Sequence, residues 1–198
     1  MNSAAPPAQR SSLIAPVVTA LLGAAVVVVP AGAASAAVSI GWSQRAGGLE
    51  APTQVTSPRD GTGRLFVTEK SGLVRIFRGG RVLDCPFLDL RSRVRTDGEA
   101  GLLSIALHPR WKTKPYLWVA YVNRKGDLRV ARFRAPSYRA ARVGTRTYKR
   151  VIDVPHRRRF TNHFAGQLAF GRTGKLFLST GDGVGRVTPP NVRRTRRH

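Results

Sequence analysis

The stretch Gly63-Arg64-Leu65-Phe66-Val67-Thr68-Glu69-Lys70-Ser71-Gly72-Leu73-Val74-Arg75-Ile76-Phe77 holds two short β-branched and aromatic runs parted by Lys70-Ser71-Gly72, and Gly79-Gly80 closes it. Runs of this composition between turn residues read as a β-hairpin. The same grammar returns in Tyr116-Leu117-Trp118-Val119-Ala120-Tyr121, the turn Asn123-Arg124-Lys125-Gly126-Asp127, and Leu128-Arg129-Val130-Ala131-Arg132-Phe133. In the last run apolar and basic residues alternate, as they do in a half-buried strand. A sustained helical period is missing from residue 37 onward. The nearest candidate, Tyr138 to Tyr148, is broken by its arginines and Gly144. The expected class is all-β.

The hairpin belongs to a repeat. Gln54 to Gly72 runs as Gln-Val-Thr, a Pro/Asp/Gly turn, then Gly63-Arg64-Leu65-Phe66-Val67 and Thr68-Glu69-Lys70-Ser71-Gly72; Gln167 to Gly183 runs as Gln-Leu-Ala, a Gly/Arg turn, then Gly174-Lys175-Leu176-Phe177-Leu178 and Ser179-Thr180-Gly181-Asp182-Gly183. A looser copy, Leu102 to Leu107 with His108-Pro109 and Leu117-Trp118-Val119, lies between them. Leu65, Leu117 and Leu176 then recur at steps of 52 and 59 residues, room for four strands and their loops. That is the spacing of β-propeller blades, against the alternative of coincidence among short β segments. About three blades are expected, fewer than the roughly four to eight of a closed propeller. After Gly183 the apolar pattern stops, and residues 184–198 read as a basic tail. It is either solvated or the mark of a truncated or frame-shifted end.

The 198 residues are 42% hydrophobic and 22% charged, the balance of a folded domain rather than of a disordered chain. Thirty-four Lys and Arg against 10 Asp and Glu give a formal net charge of +24. Such a surface attracts polyanions. Of these cations 28 are Arg and 6 are Lys, spread along a chain rich in Ala, Gly and Val, which also fits a G+C-rich coding bias. Cys85 is the single cysteine, so no intrachain disulfide, CxxC pair or cysteine zinc cluster can form. Residues 1–36 hold no acid and one cation, Arg10, followed by the apolar run Leu13 to Val29, Pro30 and small residues ending in Ala34-Ser35-Ala36. This is the layout of a signal peptide cleaved after Ala36, the alternative being an uncleaved anchor. A secreted chain with no membrane segment after cleavage is expected, with residues 37–183 as its folded part.

Three segments resemble the glucose/sorbosone dehydrogenase family, soluble sugar dehydrogenases that use pyrroloquinoline quinone (PQQ) on a six-bladed propeller. They are Gly48-Leu49-Glu50-Ala51-Pro52 through Arg64 to Glu69; Gly98-Glu99-Ala100-Gly101-Leu102-Leu103-Ser104-Ile105-Ala106-Leu107-His108-Pro109; and Asn162-His163-Phe164-Ala165-Gly166-Gln167-Leu168-Ala169-Phe170-Gly171 through Gly181-Asp182-Gly183. The middle one is the most specific, and together they are similar to the family's N-terminal half. The resemblance implies oxidation of an aldose at its anomeric carbon, with PQQ and calcium as cofactors, a sugar as substrate and an external electron acceptor.

That reaction removes a hydroxyl proton and delivers a hydride to the quinone, so a neutral base must sit beside the sugar, and histidine suits the task. By resemblance His163 is that base, Asn162 flanks it and helps orient the ring, and Glu99 reaches sugar hydroxyls or the cofactor edge. The structural alternatives are a satisfied loop histidine and a surface acid among arginines. His108, beside Pro109, reads as a turn histidine; His156 and His198 sit in basic stretches without an evident partner. No metal-ligand spacing is visible. Ala165 and Ser104 stand where the family commonly has Gly, and each could crowd a close backbone approach. The quinone-gripping cations and the calcium loop belong to the family's later blades. Two other classes stay open: a non-catalytic secreted propeller module that binds carbohydrate or protein, and a polyanion binder working through the basic surface, including Arg157-Arg158-Arg159. Nucleic acid is not an expected partner, because no aromatic-interleaved basic motif is present.

Overall fold

The computed structural model describes residues 40–156 and 160–183, and a compact unit begins at Trp42. The leader with its cleavage pattern, Arg157-Arg158-Arg159, and residues 184–198 lie outside the described residues.

Among the described residues eleven strands form three antiparallel sheets. The first holds β1 (Pro52–Thr56), β2 (Leu65–Glu69), β3 (Leu73–Arg78), β4 (Arg81–Val82) and β5 (Leu88–Asp89). Both β4 and β5 pair with β3, Val82 opposite Phe77 and Leu88 opposite Val74, so they act as one interrupted outer strand. The second runs β6 (Leu102–Leu107), β7 (Tyr116–Val122), β8 (Leu128–Arg134), β9 (Lys149–Val154) in simple meander order, and the third pairs β10 (Ala165–Phe170) with β11 (Leu176–Thr180). Two four-stranded blades and the first half of a third are therefore present among the described residues, the all-β propeller architecture expected. Both predicted hairpins form, as β2–β3 and β7–β8. Leu65, Leu117 and Leu176 all lie in the second strand of their sheets. Between Tyr138 and Tyr148 the described helical structure is one short 3-10 turn, Thr145–Thr147.

The inner strands of the middle sheet, β6 to β8, are covered on both faces, while β9 at its edge is largely exposed. Leu117, Val119, Tyr121 and Phe133 pack toward the first sheet's Phe66, Val74, Ile76 and Leu88, and Phe66 meets Phe87 edge-on with ring centroids 4.6 Å apart. Ala120, Leu128 and Val130 pack with Leu168 of the third sheet, where Trp118 meets Phe170 edge-on at 5.1 Å. Alternation along β7 divides its side chains between the two interfaces, as strand geometry requires. In β8 the consecutive Val130 and Ala131 are both buried because they point to opposite faces, Ala131 into the cluster shared with the first sheet and Val130 into the cluster with Leu168.

The first strands of the three sheets are tied to one another by side chains. Gln54 Oε1 in β1 accepts the Ile105 N–H of β6 at 2.6 Å, and Thr53 Oγ1 donates to the Leu102 carbonyl at 2.8 Å. Ser104 Oγ in β6 donates to the Gly166 carbonyl at 2.6 Å and accepts the Leu168 N–H of β10 at 3.0 Å. Ser104 therefore does not crowd the backbone as expected: its hydroxyl satisfies two buried main-chain groups that would otherwise be orphaned.

Candidate active site

Because β11 runs antiparallel to β10, with Ala165 opposite Thr180, the residues just after β11 return beside those just before β10. The turn before β6 joins them, since the Glu99 N–H donates to the Thr161 carbonyl at 2.6 Å. Glu99, His163 and Asp182 thus meet from three separate segments.

Two glycines make the approach possible. Gly98 has φ +54°, and a Cβ there would overlap Thr161 Oγ1. At Gly181 an added Cβ would collide with the His163 carbonyl oxygen, and the Gly181 N–H donates to the Phe164 carbonyl at 3.2 Å. No side chain fits between those backbones. Glycine beside the acid in both Gly98-Glu99 and Gly181-Asp182 is thus a packing requirement.

His163 adopts a left-handed backbone, φ +59°, which histidine tolerates better than most residues. One Glu99 carboxylate oxygen, Oε2, accepts the His163 N–H at 2.7 Å and clamps this conformation. The imidazole Nδ1 lies 2.9 Å from Asp182 Oδ1. An ionised carboxylate only accepts, so the proton of a neutral ring sits on Nδ1 and Nε2 carries the basic lone pair. The ring is about one-third exposed (33%) and so open to a solute.

Glu99 and His163 are brought together, with Glu99 bonding the His163 main chain. Asn162 lies next to them with its carbonyl facing His156 Nε2 at 3.1 Å, while the ring of His163 takes its described partner from Asp182. Asp182 was not singled out as a site residue from the sequence, although it stands inside the Gly-Asp-Gly motif. Its signal was positional: an acid at the end of a blade's second strand faces whatever precedes the first strand.

His156 is not without a partner. Its ring stacks on Phe164 with centroids 4.1 Å apart, and its main-chain N–H donates to Asp127 Oδ1 at 3.4 Å. With Phe164, Leu128 and Asp182 it lines a cavity of about 170 Å³. His108 is a turn histidine: Nδ1 accepts the Arg110 N–H at 3.0 Å, while burial, with Lys114 and Arg110 nearby, holds its pKa below the ordinary value.

The cluster's ionisable groups are one imidazole and two carboxylates, and the Lys70 ammonium donates to the Gly98 carbonyl at 2.5 Å beside it. This set suits taking a proton from a hydroxyl. It does not suit holding PQQ, a tricarboxylate that calls for several paired cations. Among the described residues no group of three or more His, Cys, Asp or Glu side chains converges to bind a metal ion, so no role for calcium is derived from them.

Comparison with known proteins bears on the family and the fold. The Glucose / Sorbosone dehydrogenase family model matches residues 49–196. Among solved structures, an oxidoreductase of Thermus thermophilus described as a glucose dehydrogenase is 33% identical with a TM-score of 0.61, covering 73% of this chain and 41% of that one. The PQQ-bound aldose sugar dehydrogenase of Streptomyces coelicolor, 24% identical over 70% of this chain and 40% of its own, shares the fold with a TM-score of 0.57. Hedgehog-interacting protein of Mus musculus is 32% identical over 151 residues, 69% of this chain and 21% of that protein. The chain therefore spans about a fifth of that relative and about two-fifths of these solved neighbours. With blades, repeat and site motifs all falling inside the matched residues, this chain belongs to the glucose/sorbosone dehydrogenase family.

Proposed function

We propose that this chain supplies the proton-accepting part of a secreted sugar dehydrogenase site. His163 Nε2 takes the proton of the anomeric hydroxyl of an aldose, and Asp182 holds the ring in the required tautomer and orientation. Glu99 keeps the His163 backbone in place, with its second oxygen available to a sugar hydroxyl. The hydride acceptor, PQQ in this reading, is held by residues outside the cluster. The observation that carries the reading is the 2.9 Å contact between His163 Nδ1 and Asp182, which leaves Nε2 on a partly open ring. Action outside the cytoplasm is supported by the leader-like residues 1–36.

The test is NMR of the His163 ring in this chain during aldose titration, together with aldose-dependent reduction of a dye, in the presence of PQQ and calcium, by this chain joined to the later blades that by resemblance hold the quinone. Wild type should respond in both, and His163→Ala should lose at least about a hundredfold of the rate, the contribution of a positioned general base. Equal rates in His163→Ala would overturn the assignment of the base. Absence of both turnover and ring shifts would overturn the sugar reading.

A second reading is favoured by the 32% identity to Hedgehog-interacting protein, a relative named for binding a protein. The propeller would then serve as a binding module, for which fold without site chemistry suffices. Under that reading the His163→Ala variant keeps full function.

A further inference from the structure

The turn between β7 and β8 faces the segment that follows β5, and together they line a cleft of about 250 Å³ formed by Ser92, Arg93, Asn123, Arg124, Lys125 and Arg129. Arg129 is neutralised by a two-pronged bond to Asp153, at 2.6 and 2.7 Å. The other three cations are not. Arg93 lies 4.6 Å over the Tyr148 ring, Arg124 donates only to the main-chain carbonyls of Arg91 and Ser92, and the Lys125 ammonium has no described partner. Among the described residues, no carboxylate pairs with any of them.

Asn123 carries the inference further. It is 3% exposed, and its Oδ1 accepts the N–H groups of Lys125 at 2.8 Å and Asp127 at 3.2 Å. These two bonds decide which amide atom is oxygen, because exchanging the atoms would set a donor against two donors. The buried Nδ2 is left without a partner. A buried donor unsatisfied beside three unpaired cations is costly until something accepts from it.

We propose that this cleft is a binding site for a small phosphate-like oxyanion, which accepts from Asn123 Nδ2 and is held by Arg93, Arg124 and Lys125. A tetrahedral dianion offers several acceptor oxygens to donors converging from different directions, and guanidinium forks match it. The cleft shares no lining residue with the Glu99–His163–Asp182 cluster, and the proposal does not depend on the sugar reading.

The test is calorimetric titration of the full chain with inorganic phosphate, with chloride at matched ionic strength as the control. The expected result is saturable one-site binding that matched chloride does not reproduce. Asn123→Asp keeps both turn acceptors and replaces the donor by an anionic oxygen; it should weaken binding by at least about tenfold, the worth of a charged hydrogen bond. Lys125→Ala, which touches no described fold contact, should weaken it several-fold and separates a lost site from a lost fold. Non-saturable heats equal to those of chloride would overturn the proposal. So would phosphate affinity unchanged in both variants.

Discussion

His163 Nδ1 and Asp182 Oδ1 stand 2.9 Å apart although 19 residues separate them, because β10 and β11 fold the chain back on itself between the two. Replacing the carboxylate by an amide should test what the contact does. Asp182→Asn can donate to Nδ1 and so favour the wrong tautomer, and the aldose-dependent rate should fall by about 10- to 100-fold with a smaller change in KM, as for other partners that orient a reacting histidine. Long-range nitrogen-proton NMR should find the ring proton on Nδ1 in wild type. A ring proton on Nε2 in wild type would refute the orientation.

Ala165 has φ +54°, a left-handed conformation that disfavours alanine. Ala165→Gly should therefore stabilise the chain by about 0.5–1 kcal/mol, read as a higher urea midpoint with unchanged slope. Gly181→Ala should do the reverse, since its Cβ would collide with the His163 carbonyl oxygen and backbone must move.

Ser104 is fully buried and its hydroxyl serves both the Gly166 carbonyl and the Leu168 N–H. Ser104→Ala leaves these groups unpaired between β6 and β10. The expected cost is about 1–3 kcal/mol, measured by urea unfolding. A change near zero would mean that the two strands are held by apolar packing alone.

Stability should depend on pH through Asp153 and Asp60. Hydrogen bonds from Arg129 hold the Asp153 carboxyl below its usual pKa. At Asp60 burial pushes upward, but bonds from Thr62 and Arg64 outweigh it and the net shift is also down. Each carboxyl thus has a lower pKa folded than unfolded, so its contribution is present above the unfolded value and is lost as pH falls through the folded one. The urea midpoint should decline below about pH 4, the unfolded Asp range. Asp153→Asn should make that decline shallower.

Strand and repeat were legible because they rest on local chemistry. The runs Leu65–Glu69, Leu73–Arg78, Tyr116–Val122 and Leu128–Arg134 carry their β-branched, aromatic and alternating patterns in themselves, and the glycine turns between them set the hairpins. The motifs single out His163 and Glu99 as candidates, and the structure brings the two together. The roles of Asp182 and Ser104 were not legible: one is a carboxylate meeting a ring from the far end of a hairpin, the other a hydroxyl spanning two sheets. Such contacts depend on how separate segments converge, which no local pattern encodes. Nor does the sequence show that Asn123 buries an unpartnered donor beside three cations; that follows from one turn packing against another. Composition and period determined which strands form, since those preferences act within a few residues; only the tertiary structure decided which side chains face each other, since hydrogen bonds and charge pairing act over a few ångströms of space.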